Sequence, residues 1–520
     1  MNTANFLTMP AMMFPDQEIL VDGEDRFSYD ALARRVRSLG ASLRERGAGL
    51  ERPVAVLATN SHRYVTAYYG AAAAGATFVP LNYRAKLHEL EHMIGKANPA
   101  VLFFEDRYRE TLGRLTDALP ADLALLPLSD AQEGETSFDE LVAAGDAEAS
   151  EIDVEESDTS ILMYTSGTTS LPKGVMLTHG DFTAYVVGNV EMADGTPRGS
   201  ALLCVPLYHI AGATNIMSSV WAGRKIVLLP QFDAGQWLAT VAREKVTHAF
   251  VVPTMMKKLL DHPDFHATDL SSLENLSYGG APMPFPVIRR AIESFPESCG
   301  FVNAFGQTET TSTLTILGPE DHRLVGEADA DELVLKRLRS IGRPLPDVEV
   351  RIGGEEGESL PDGEIGEILV RTPRIMKGYA GGVSGGAEID DDGFLHTRDL
   401  GYVDHEGYVF LVGRKDDMII RGGENIAPAE VEACLQGHPA IEEIAVFGIP
   451  SEEWGQIVAA AIVLKPGATA TTDEFVTYCQ ARLSSFKKPE AVKFLPELPR
   501  NPLGKILRKD LQNAFVAGQD

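Results

Sequence analysis

Runs of apolar residues that alternate with helical segments constrain the fold of this chain more than any other feature. Residues 52–60 (RPVAVLATN), 76–82 (ATFVPLN) and 99–106 (PAVLFFED) are apolar without polar alternation. The segments between them, 61–75 and 86–98, have the character of helices. Continuous apolar strands that are separated by helices are typical of a parallel sheet covered on both faces. The sequence therefore predicts an α/β protein.

The same alternation continues beyond an acidic stretch at residues 146–160, which we interpret as a solvated connector. Beyond about residue 340 the helix–strand alternation gives way to short strands of alternating apolar and polar residues with glycine turns. This pattern predicts a small β-barrel-like element. The chain then ends in a compact α+β pattern. We therefore expect an N-terminal domain of stacked, mostly parallel βαβ sheets in residues 1–415 and a small α+β domain in residues 416–520.

The overall charge limits the partners of the protein. The 520 residues carry a formal charge of -29, with an isoelectric point near 4.8. This argues against non-specific binding to nucleic acid or anionic lipid, so a phosphate-bearing ligand requires a local basic pocket. The four cysteines form no CxxC pair, and we expect reduced thiols. No signal peptide or membrane span is predicted, which favours a cytoplasmic protein.

The segment ILMYTSGTTSLPKGV (161–175) predicts an anion-binding loop. An apolar strand ends at Tyr164, and five hydroxyl residues, a glycine and Lys173 follow. Such a turn offers backbone N–H groups, rotatable hydroxyl donors and one positive charge, a combination that suits phosphate. It is not the G-x-x-x-x-G-K-[ST] loop of nucleotide-hydrolysing proteins, because Pro172 occupies the position of the second glycine. An ordinary surface loop is the alternative interpretation.

Three further segments carry candidate functional groups. NAFGQTET (303–310) contains Glu309, and a carboxylate near a triphosphate is a common magnesium ligand. Residues 396–417 contain Asp399, a carboxylate that can chelate a ribose diol, and Arg414, a permanently charged forked donor. Residues 498–511 contain Lys505. Taken singly, the glutamate and the lysine are more often solvated surface groups.

Six motifs in a fixed order make the chain resemble the adenylate-forming superfamily, which contains acyl-CoA synthetases, peptide-synthetase adenylation domains and beetle luciferases. These are YTSGTTSLPKG, YGGAPMP, FGQTE, TRDLG, GRKDDMIIRGGENIAPAEVE and NPLGKILR, between residues 164 and 508. The resemblance implies a two-step reaction. A carboxylate attacks the α-phosphate of ATP to give acyl-AMP and pyrophosphate, and the thiol of CoA then displaces AMP. Two departures from the family pattern are Ser170 in place of glycine and Phe305 in place of tyrosine.

The resemblance implies a role for each matched residue. Glu309 would bind Mg²⁺, Thr308 would reach the α-phosphate, and Lys505 would bridge the carboxylate and the α-phosphate during adenylation. The remaining ATP-binding residues would be Thr165, Ser166, Gly167, Thr168, Thr169 and Lys173 at the phosphates, Gly279, Gly280, Ala281 and Phe305 at adenine, and Asp399 and Arg414 at the ribose.

The resemblance also implies a mobile C-terminal domain that rotates about a hinge at Asp416 between the two half-reactions. Rotation would withdraw Lys505 and bring a CoA-binding surface to the site, with His209 as a gate between the acyl pocket and the thiol tunnel. The predicted CoA-binding residues are Gly422, Gly423, Trp454 and Phe486, with Lys487 or Lys488 at phosphate. The predicted acyl pocket consists of Tyr208, His209, Ala211 and Gly212.

The small, mostly uncharged residues of this pocket favour an apolar acyl group over a dicarboxylate. We expect a medium- or long-chain fatty acid, and an aryl or alicyclic acid of the benzoate type is the alternative. Because one CH₂ contributes only about 0.8 kcal/mol on burial, breadth across chain length is expected. The sequence does not fix the oligomeric state, and a homodimer is one possibility because dimers are common.

Other functions are less well supported by the sequence. An amino-acid adenylation domain usually carries an acid at the start of its acyl pocket, where this chain has PLYHIAGATN. The segment HELEH fits the H-E-x-x-H zinc motif of metalloproteases. We expect Leu87, Leu90 and Ile94 to be buried, which places His88 and His92 on the solvated side of the helix. A luciferase-like oxidase and a binding module without activity are further alternatives.

Overall fold

The structure is a computed structural model that describes residues 1–115, 119–129, 131–165, 171–323, 332–354, 357–382, 388–500 and 505–516. The chain forms two compact units. Unit 1 contains Met1–Leu338, Pro344–Val348 and Arg371–Glu388. Unit 2 contains Arg339–Arg343, Glu349–Val370 and Ile389–Asp520. A separate movement of residues 416–520 stays a prediction.

Unit 1 contains the alternating helices and strands that the sequence predicts. Its helices are α1 Asn5–Met13, α2 Tyr29–Glu45, α3 His62–Ala73, α4 Leu87–Ala97, α5 Arg109–Gly113, α6 Phe138–Ala144, α7 His179–Asn189, α8 Ile210–Ala222, α9 Ala234–Glu244, α10 Pro253–Leu260, α11 Phe285–Ser294, α12 Pro319–His322 and α13 Glu332–Arg337. Its strands are β1 Glu18–Asp22, β2 Asp25–Ser28, β3 Val54–Leu57, β4 Phe78–Pro80, β5 Val101–Phe104, β6 Ala124–Pro127, β7 Thr159–Thr165, β8 Lys173–Thr178, β9 Ser200–Leu203, β10 Lys225–Leu228, β11 His248–Val251, β12 Asn275–Gly279, β13 Gly300–Gln307 and β14 Ser312–Leu317. The short strand β15 Arg343–Pro344 lies at the boundary between the units, β16 and β17 belong to unit 2, and β18 Gly378–Tyr379 returns to unit 1.

Two sheets, each with parallel strands at its centre, form the framework of unit 1. One contains strands in the order β14-β13-β12-β11-β9-β10-β1-β2, and the other has the order β18-β8-β7-β4-β3-β5-β6. The neighbours β3, β4 and β5 are parallel, as are β11, β12 and β13. Antiparallel pairs occur towards the edges, as in β7 with β8 and β13 with β14. This confirms the predicted α/β class.

The small residues of α3 allow close packing between the two sheets. An added Cβ at Gly70 would lie 2.8 Å from a methyl carbon of Leu39 on α2, so a side chain at this position would require Leu39 to move. Val56 of one sheet and Ile226 of the other belong to the same buried apolar cluster. The run AYYGAAAAG is therefore a core helix surface, because only small residues let two helix backbones approach so closely.

Among the residues that the structure describes, unit 2 contains two mainly antiparallel sheets, one of them with a parallel edge pair, and three α-helices. The first sheet has the order β16-β17-β19-β20 and corresponds to the predicted small β element. The second has the order β22-β21-β24-β23, and β25 pairs with β24. The elements are β16 Glu349–Gly353, β17 Gly366–Arg371, β19 Leu395–Val403, β20 Val409–Arg414, β21 Ile419–Arg421, β22 Glu424–Ile426, α14 Pro428–Gln436, β23 Ile441–Ser451, β24 Gly455–Leu464, α15 Thr472–Gln480, β25 Ala491–Phe494 and α16 Arg508–Val516.

Alternation along β23 decides which helix covers each face of the second sheet. Ile444 and Val446 point into a cluster with Val431 of α14 and Phe475 of α15. Ala445, Phe447 and Ile449 belong to a second cluster with Leu511 and Phe515 of α16. Since successive strand residues face opposite sides, one continuous apolar strand supplies both cores.

Within the described residues, no helix combines the length and the apolar content that crossing a bilayer requires. Cys204, Cys299 and Cys479 are buried free thiols, and Cys434 is a half-buried one. The cysteines thus carry no structural cross-link.

Candidate active site

The hydroxyl-rich segment joins β7 to β8 as an antiparallel hairpin. Thr165 and Lys173 lie opposite each other at the base of this hairpin. Four of the predicted phosphate-binding residues, Ser166, Gly167, Thr168 and Thr169, lie outside the described residues. The two described members are therefore fixed by strand pairing, which sets the point where the loop leaves the sheet.

Helix α4 contacts both sides of this hairpin. The Tyr164 hydroxyl donates to the Met93 carbonyl over 3.1 Å. His92 Nε2 lies 3.2 Å from the Pro172 carbonyl oxygen, and the imidazole donates this bond because a carbonyl can only accept. Hydrogen bonds to α4 therefore hold the chain on both sides of the loop, at Tyr164 and at Pro172.

These contacts correct the prediction for the HELEH segment. His88 is exposed, as expected, but His92 is half-buried because it contacts the end of the loop. In the part of the chain that the structure describes, no group of three histidine, cysteine or carboxylate side chains has the arrangement of a metal site.

The predicted adenine-binding residues follow two neighbouring parallel strands. Gly279 ends β12 and pairs with Ala304 of β13, whose carbonyl oxygen would clash with any Cβ added at Gly279. Gly280 follows with a φ of +77°, in the region that favours glycine. Phe305 comes next on β13 and is half-buried. The carboxyl ends of parallel strands are where α/β proteins bind ligands, so the structure brings Gly279, Gly280 and Phe305 together at such an edge.

Glu309 lies in a 3₁₀ turn, Thr308–Thr310, between β13 and β14. One of its carboxylate oxygens accepts a hydrogen bond from the Tyr379 hydroxyl over 2.9 Å. Its carbonyl accepts the Met376 N–H over 2.8 Å. The turn continues into Thr311 and Ser312 with φ values of 50° and 83°, which are strained for non-glycine residues. Packing from elsewhere must therefore hold this turn in place.

Arg374 supplies that packing from the interior of unit 1. Its side chain is fully buried, and Nε lies 2.6 Å from a carboxylate oxygen of Asp347. Nη1 donates to the Thr310 carbonyl over 2.9 Å, and the Arg374 carbonyl accepts the Thr311 hydroxyl over 2.9 Å. Buried arginine is rare unless it is paired, so this network fixes the turn after Glu309. The sequence analysis missed Arg374, Asp347 and Tyr379, because no local motif marks them.

In unit 2, Asp399 and Arg414 face each other across β19 and β20. Arg414 Nε lies 2.8 Å from Asp399 Oδ1, and Asp399 is only 2% exposed. The preceding residue, Arg398, has a φ of 61° and forms an ion pair with Asp416, in which Nε lies 2.9 Å from Oδ2. The predicted ribose-binding pair and the predicted hinge residue are thus linked through adjacent residues.

Lys505 lies within electrostatic range of the same pair. Its side chain is exposed. Its pKa is lowered first by surrounding protein that displaces solvent and then by the charge of Arg414, while Asp417 and Asp399 oppose this shift. Unit 2 therefore brings the predicted adenylation lysine to the predicted ribose site, although the two motifs are far apart in sequence.

Gly422 and Gly423 form the turn between β21 and β22, with φ values of 58° and 90°. The Gly422 N–H donates to the Trp454 carbonyl over 2.8 Å, and a Cβ at Gly422 would lie 2.9 Å from the Trp454 ring. Trp454 is 39% exposed, and Arg421 lies over its ring at 4.5 Å. Three of the predicted CoA-binding residues thus form one surface.

The fourth predicted CoA-binding residue lies elsewhere in unit 2. Phe486 packs at the edge of the cluster under α14 and α15. The neighbouring Lys487 forms a 2.7 Å ion pair with Glu430. This pairing limits the charge that Lys487 can offer to a phosphate.

The predicted gate residue His209 precedes α8 and stacks on Tyr208 with ring centroids 4.2 Å apart. Burial, followed by the charge of Arg84, lowers the pKa of His209 to about 3, so the ring is neutral at physiological pH. Within the described residues, His209 Nε2 and the Tyr208 hydroxyl are buried without a hydrogen-bond partner. Gly212 packs against backbone, since an added Cβ would lie 2.8 Å from the Pro206 carbonyl oxygen. Ala211 is half-buried.

Comparison with known families places the chain in a class. The model of the AMP-binding enzyme family matches residues 8–380, and that of the AMP-binding enzyme C-terminal domain matches residues 430–505. The chain therefore belongs to the AMP-binding enzyme family, which is the adenylate-forming superfamily that its motifs resemble.

Individual relatives match over nearly their whole length. A feruloyl-CoA synthase from Amycolatopsis sp is 36% identical, with 97% of each chain covered. The fatty acid–[acyl-carrier-protein] ligase ScoC from Streptomyces coeruleorubidus is 32% identical, with 96% of this chain and 94% of that protein covered. The structure of an o-succinylbenzoate CoA synthetase from Bacillus subtilis, in complex with its acyl-adenylate intermediate, has a TM-score of 0.81 at 29% identity, with 98% of each chain covered. This protein is an AMP-forming acyl-CoA synthetase, as the sequence predicts.

Proposed function

We propose that this acid:CoA ligase activates an aryl or arylalkyl monocarboxylic acid, with ATP and Mg²⁺, through the residues that the motifs identify. The observation that carries the assignment of roles is the position of Lys505 within electrostatic range of the Asp399–Arg414 pair. An anion must attack a polyanion in the first step, so a cation beside the nucleotide site supplies what that reaction needs.

Three residues of unit 2 are assigned to the ribose and to the reacting phosphate. The carboxylate of Asp399 accepts hydrogen bonds from the ribose hydroxyls, and Arg414 fixes its orientation. Lys505 donates to the substrate carboxylate and to the α-phosphate, which keeps the two anions together while the new bond forms.

The residues of unit 1 hold the polyphosphate. Thr165 and Lys173 lie at the base of the phosphate loop, and Thr308 donates to the α-phosphate. The half-buried carboxylate of Glu309 is an oxygen donor of the kind that Mg²⁺ prefers. Glu309 would hold this ion, which would supply positive charge to offset that of the phosphates.

The second half-reaction uses the C-terminal part of the chain. Rotation about Asp416 removes Lys505 and presents the turn at Gly422 and Gly423, whose positive φ values favour glycine, so that a pantetheine arm can approach the bare backbone. The neutral ring of His209 then closes or opens the path of the thiol. We expect the protein to lie in the cytoplasm. We also expect a homodimer, and sedimentation of the purified protein will test this oligomeric state.

The choice of acid has two lines of support. The feruloyl-CoA synthase and the o-succinylbenzoate CoA synthetase are named for acids that carry an aromatic ring. In addition, the partnerless Tyr208 hydroxyl and His209 Nε2 offer polar contacts that an unsubstituted alkyl chain would leave unsatisfied. Medium- or long-chain fatty acid is the second candidate, which the small residues Ala211 and Gly212 and the relation to ScoC support.

A pyrophosphate-release screen tests the proposal. The panel consists of hydroxycinnamic, arylacetic, benzoic and C6–C16 fatty acids, each with and without CoA, at equal concentrations. We expect kcat/KM for a ring-bearing acid to exceed that for every fatty acid by tenfold or more. A fatty acid at the top of the ranking would contradict the aryl assignment, and the absence of pyrophosphate release with every acid would contradict the wider proposal.

A further inference from the structure

A short segment of unit 1, residues 374–380, connects the two elements that the proposed reaction places around the ATP phosphates. We call it the strap. It follows β17 in sequence and contains β18. The sequence analysis assigned it no function. Its contacts make it more than a connection between strands.

At its first end the strap holds the turn of Glu309. The Met376 N–H donates to the Glu309 carbonyl over 2.8 Å. Arg374 donates from Nη1 to the Thr310 carbonyl, and the Arg374 carbonyl accepts the Thr311 hydroxyl. The main chain of Glu309 therefore has a fixed position relative to the strap.

At its other end the strap is a strand beside the phosphate-loop hairpin. Gly378 pairs with Met176 and Tyr379 pairs with Val175, both on β8. The Lys377 N–H donates to the Met176 carbonyl over 3.0 Å. An added Cβ at Gly174, the residue after Lys173, would lie 3.4 Å from the Ala380 side chain. Through this strand pairing the strap also fixes the position of the base of the phosphate loop.

One side chain of the strap touches functional groups at both ends. The Tyr379 hydroxyl donates to the Glu309 carboxylate over 2.9 Å. Its ring centroid lies 6.0 Å from the Lys173 ammonium, at the limit of a cation–π contact. The two groups have opposite charges. The Glu309 carboxylate would bind the metal ion, and the Lys173 ammonium would bind the phosphates. Tyr379 contacts both of these groups.

We propose that Tyr379 is a positioning residue for the metal–nucleotide complex. Its hydroxyl fixes which carboxylate oxygen of Glu309 is turned towards the ion, and the strap holds that carboxylate at a set distance from Lys173. This inference rests on the proposed function, because it takes Glu309 as the metal ligand. Hydrogen-bonded partners of ligating carboxylates commonly tune metal affinity in this way.

The test measures metal binding without turnover. Manganese replaces magnesium, and α,β-methylene-ATP replaces ATP because its α–β linkage resists cleavage. Free Mn²⁺ is followed by electron paramagnetic resonance during titration of the protein saturated with this analogue. Tyr379→Phe keeps the ring and the strand pairing and removes only the hydroxyl. We expect it to weaken Mn²⁺ binding about tenfold to hundredfold, as for the loss of a hydrogen-bond partner of a ligating carboxylate.

Two variants make the result specific. Lys377→Ala lies on the same strap and removes only the bond from Nζ to the Ser157 carbonyl, so Mn²⁺ binding should be unchanged. Glu309→Gln removes the proposed ligand itself, and we expect Mn²⁺ binding to fall by more than in Tyr379→Phe. Without metal, the affinity for the analogue should be equal in Tyr379→Phe and the parent, which separates positioning from general damage to the site.

The outcomes are distinguishable. If Tyr379→Phe binds Mn²⁺ as tightly as Lys377→Ala while Glu309→Gln is impaired, the role of Tyr379 is wrong and the proposed function stands. If Glu309→Gln binds Mn²⁺ like the parent, the metal assignment in the proposed function is wrong. If metal-free analogue binding falls in Tyr379→Phe as much as metal binding does, the hydroxyl stabilises the site as a whole and the positioning role is overturned.

Discussion

Arg414 donates from Nε to a carboxylate oxygen of Asp399 over 2.8 Å, and the two residues are direct cross-strand neighbours on β19 and β20. Asp399 is almost completely buried, whereas the Arg414 side chain is 40% exposed. The pair therefore has an inner member that is held in one orientation and an outer member that reaches solvent. A carboxylate fixed in this way is ready to accept two hydroxyls without reorganisation.

Asp399→Asn tests the ribose assignment. The amide keeps the size of the side chain but loses the charge that Arg414 and a diol recognise. We expect the affinity for α,β-methylene-ATP, measured by calorimetry, to fall about tenfold to hundredfold, because hydrogen bonds to charged groups contribute about 1.5–3 kcal/mol. Asp362→Asn, at an exposed position, is the control and should bind normally. Equal affinities in the two variants would contradict the assignment.

Lys505→Ala tests the adenylation lysine. We expect formation of acyl-AMP to slow on the order of 10²–10³-fold, which is the effect of removing one preorganised donor. Thioester formation from supplied acyl-AMP should continue, since Lys505 is withdrawn in that step. Pyrophosphate exchange and CoA-dependent release of AMP measure the two steps. Lys509→Ala, on the exposed side of α16, should affect neither step. An equal loss in both steps of Lys505→Ala would refute its role.

Asp416→Pro tests the hinge. Its expected effect on the two half-reactions is the reverse of that of Lys505→Ala. Proline fixes φ and so hinders rotation at this position, and it also removes the ion pair with Arg398. We expect adenylation to be retained and thioester formation to be lost. Arg398→Ala removes the same ion pair without restricting the backbone, so it should retain both half-reactions. If Asp416→Pro retains both, the hinge lies elsewhere.

His92→Leu tests whether α4 supports the phosphate loop. The leucine fills similar volume but cannot donate to the Pro172 carbonyl. A hydrogen bond of this kind contributes about 0.5–1.5 kcal/mol, so we expect binding of α,β-methylene-ATP to weaken about twofold to tenfold. His92→Gln can place a donor near the position of Nε2 and should restore binding. His88→Leu, at the exposed histidine of the same helix, should have no effect. If His92→Leu binds as His88→Leu does, the contact is dispensable.

His179 makes the free energy of unfolding depend on pH. Burial is the main cause that lowers its pKa from 6.5 to about 4, and the side chain is fully buried with Nδ1 accepting the Thr3 N–H over 3.1 Å. The unfolded chain therefore binds more protons between these two values. The stabilisation is complete above pH 6.5 and is lost as the pH falls towards 4. We expect a contribution of up to about 1.4 kcal/mol per pH unit in that interval.

His179→Asn isolates this contribution, because asparagine keeps an acceptor for the Thr3 N–H and does not titrate. Urea unfolding between pH 4.5 and 7.5 should give a shallower pH dependence for the variant than for the parent. His248, whose pKa burial also lowers to about 4, remains in both proteins and acts in the same direction. Parallel curves for variant and parent would show that His179 is not responsible.

The order of helices and strands was predictable because burial imposes a period on the sequence. The apolar runs within residues 52–60 and 99–106 form β3 and β5, in which every residue is buried. The class of the enzyme followed from six local motifs in order. In both cases the information lies within a few neighbouring residues, since a strand or a tight turn is formed by adjacent positions.

The tertiary structure alone decided which groups meet. No local pattern shows that His92 reaches Pro172, that Tyr379 donates to Glu309, or that Lys505 lies in the field of Asp399 and Arg414. Arg374 and Asp347 likewise carry no motif, yet their buried ion pair fixes the strained turn after Glu309. These relationships depend on strand order and on packing between segments that are distant in the chain. A sequence determines its own periodicity directly, but it sets the contacts between distant side chains only through the free energy of the whole fold.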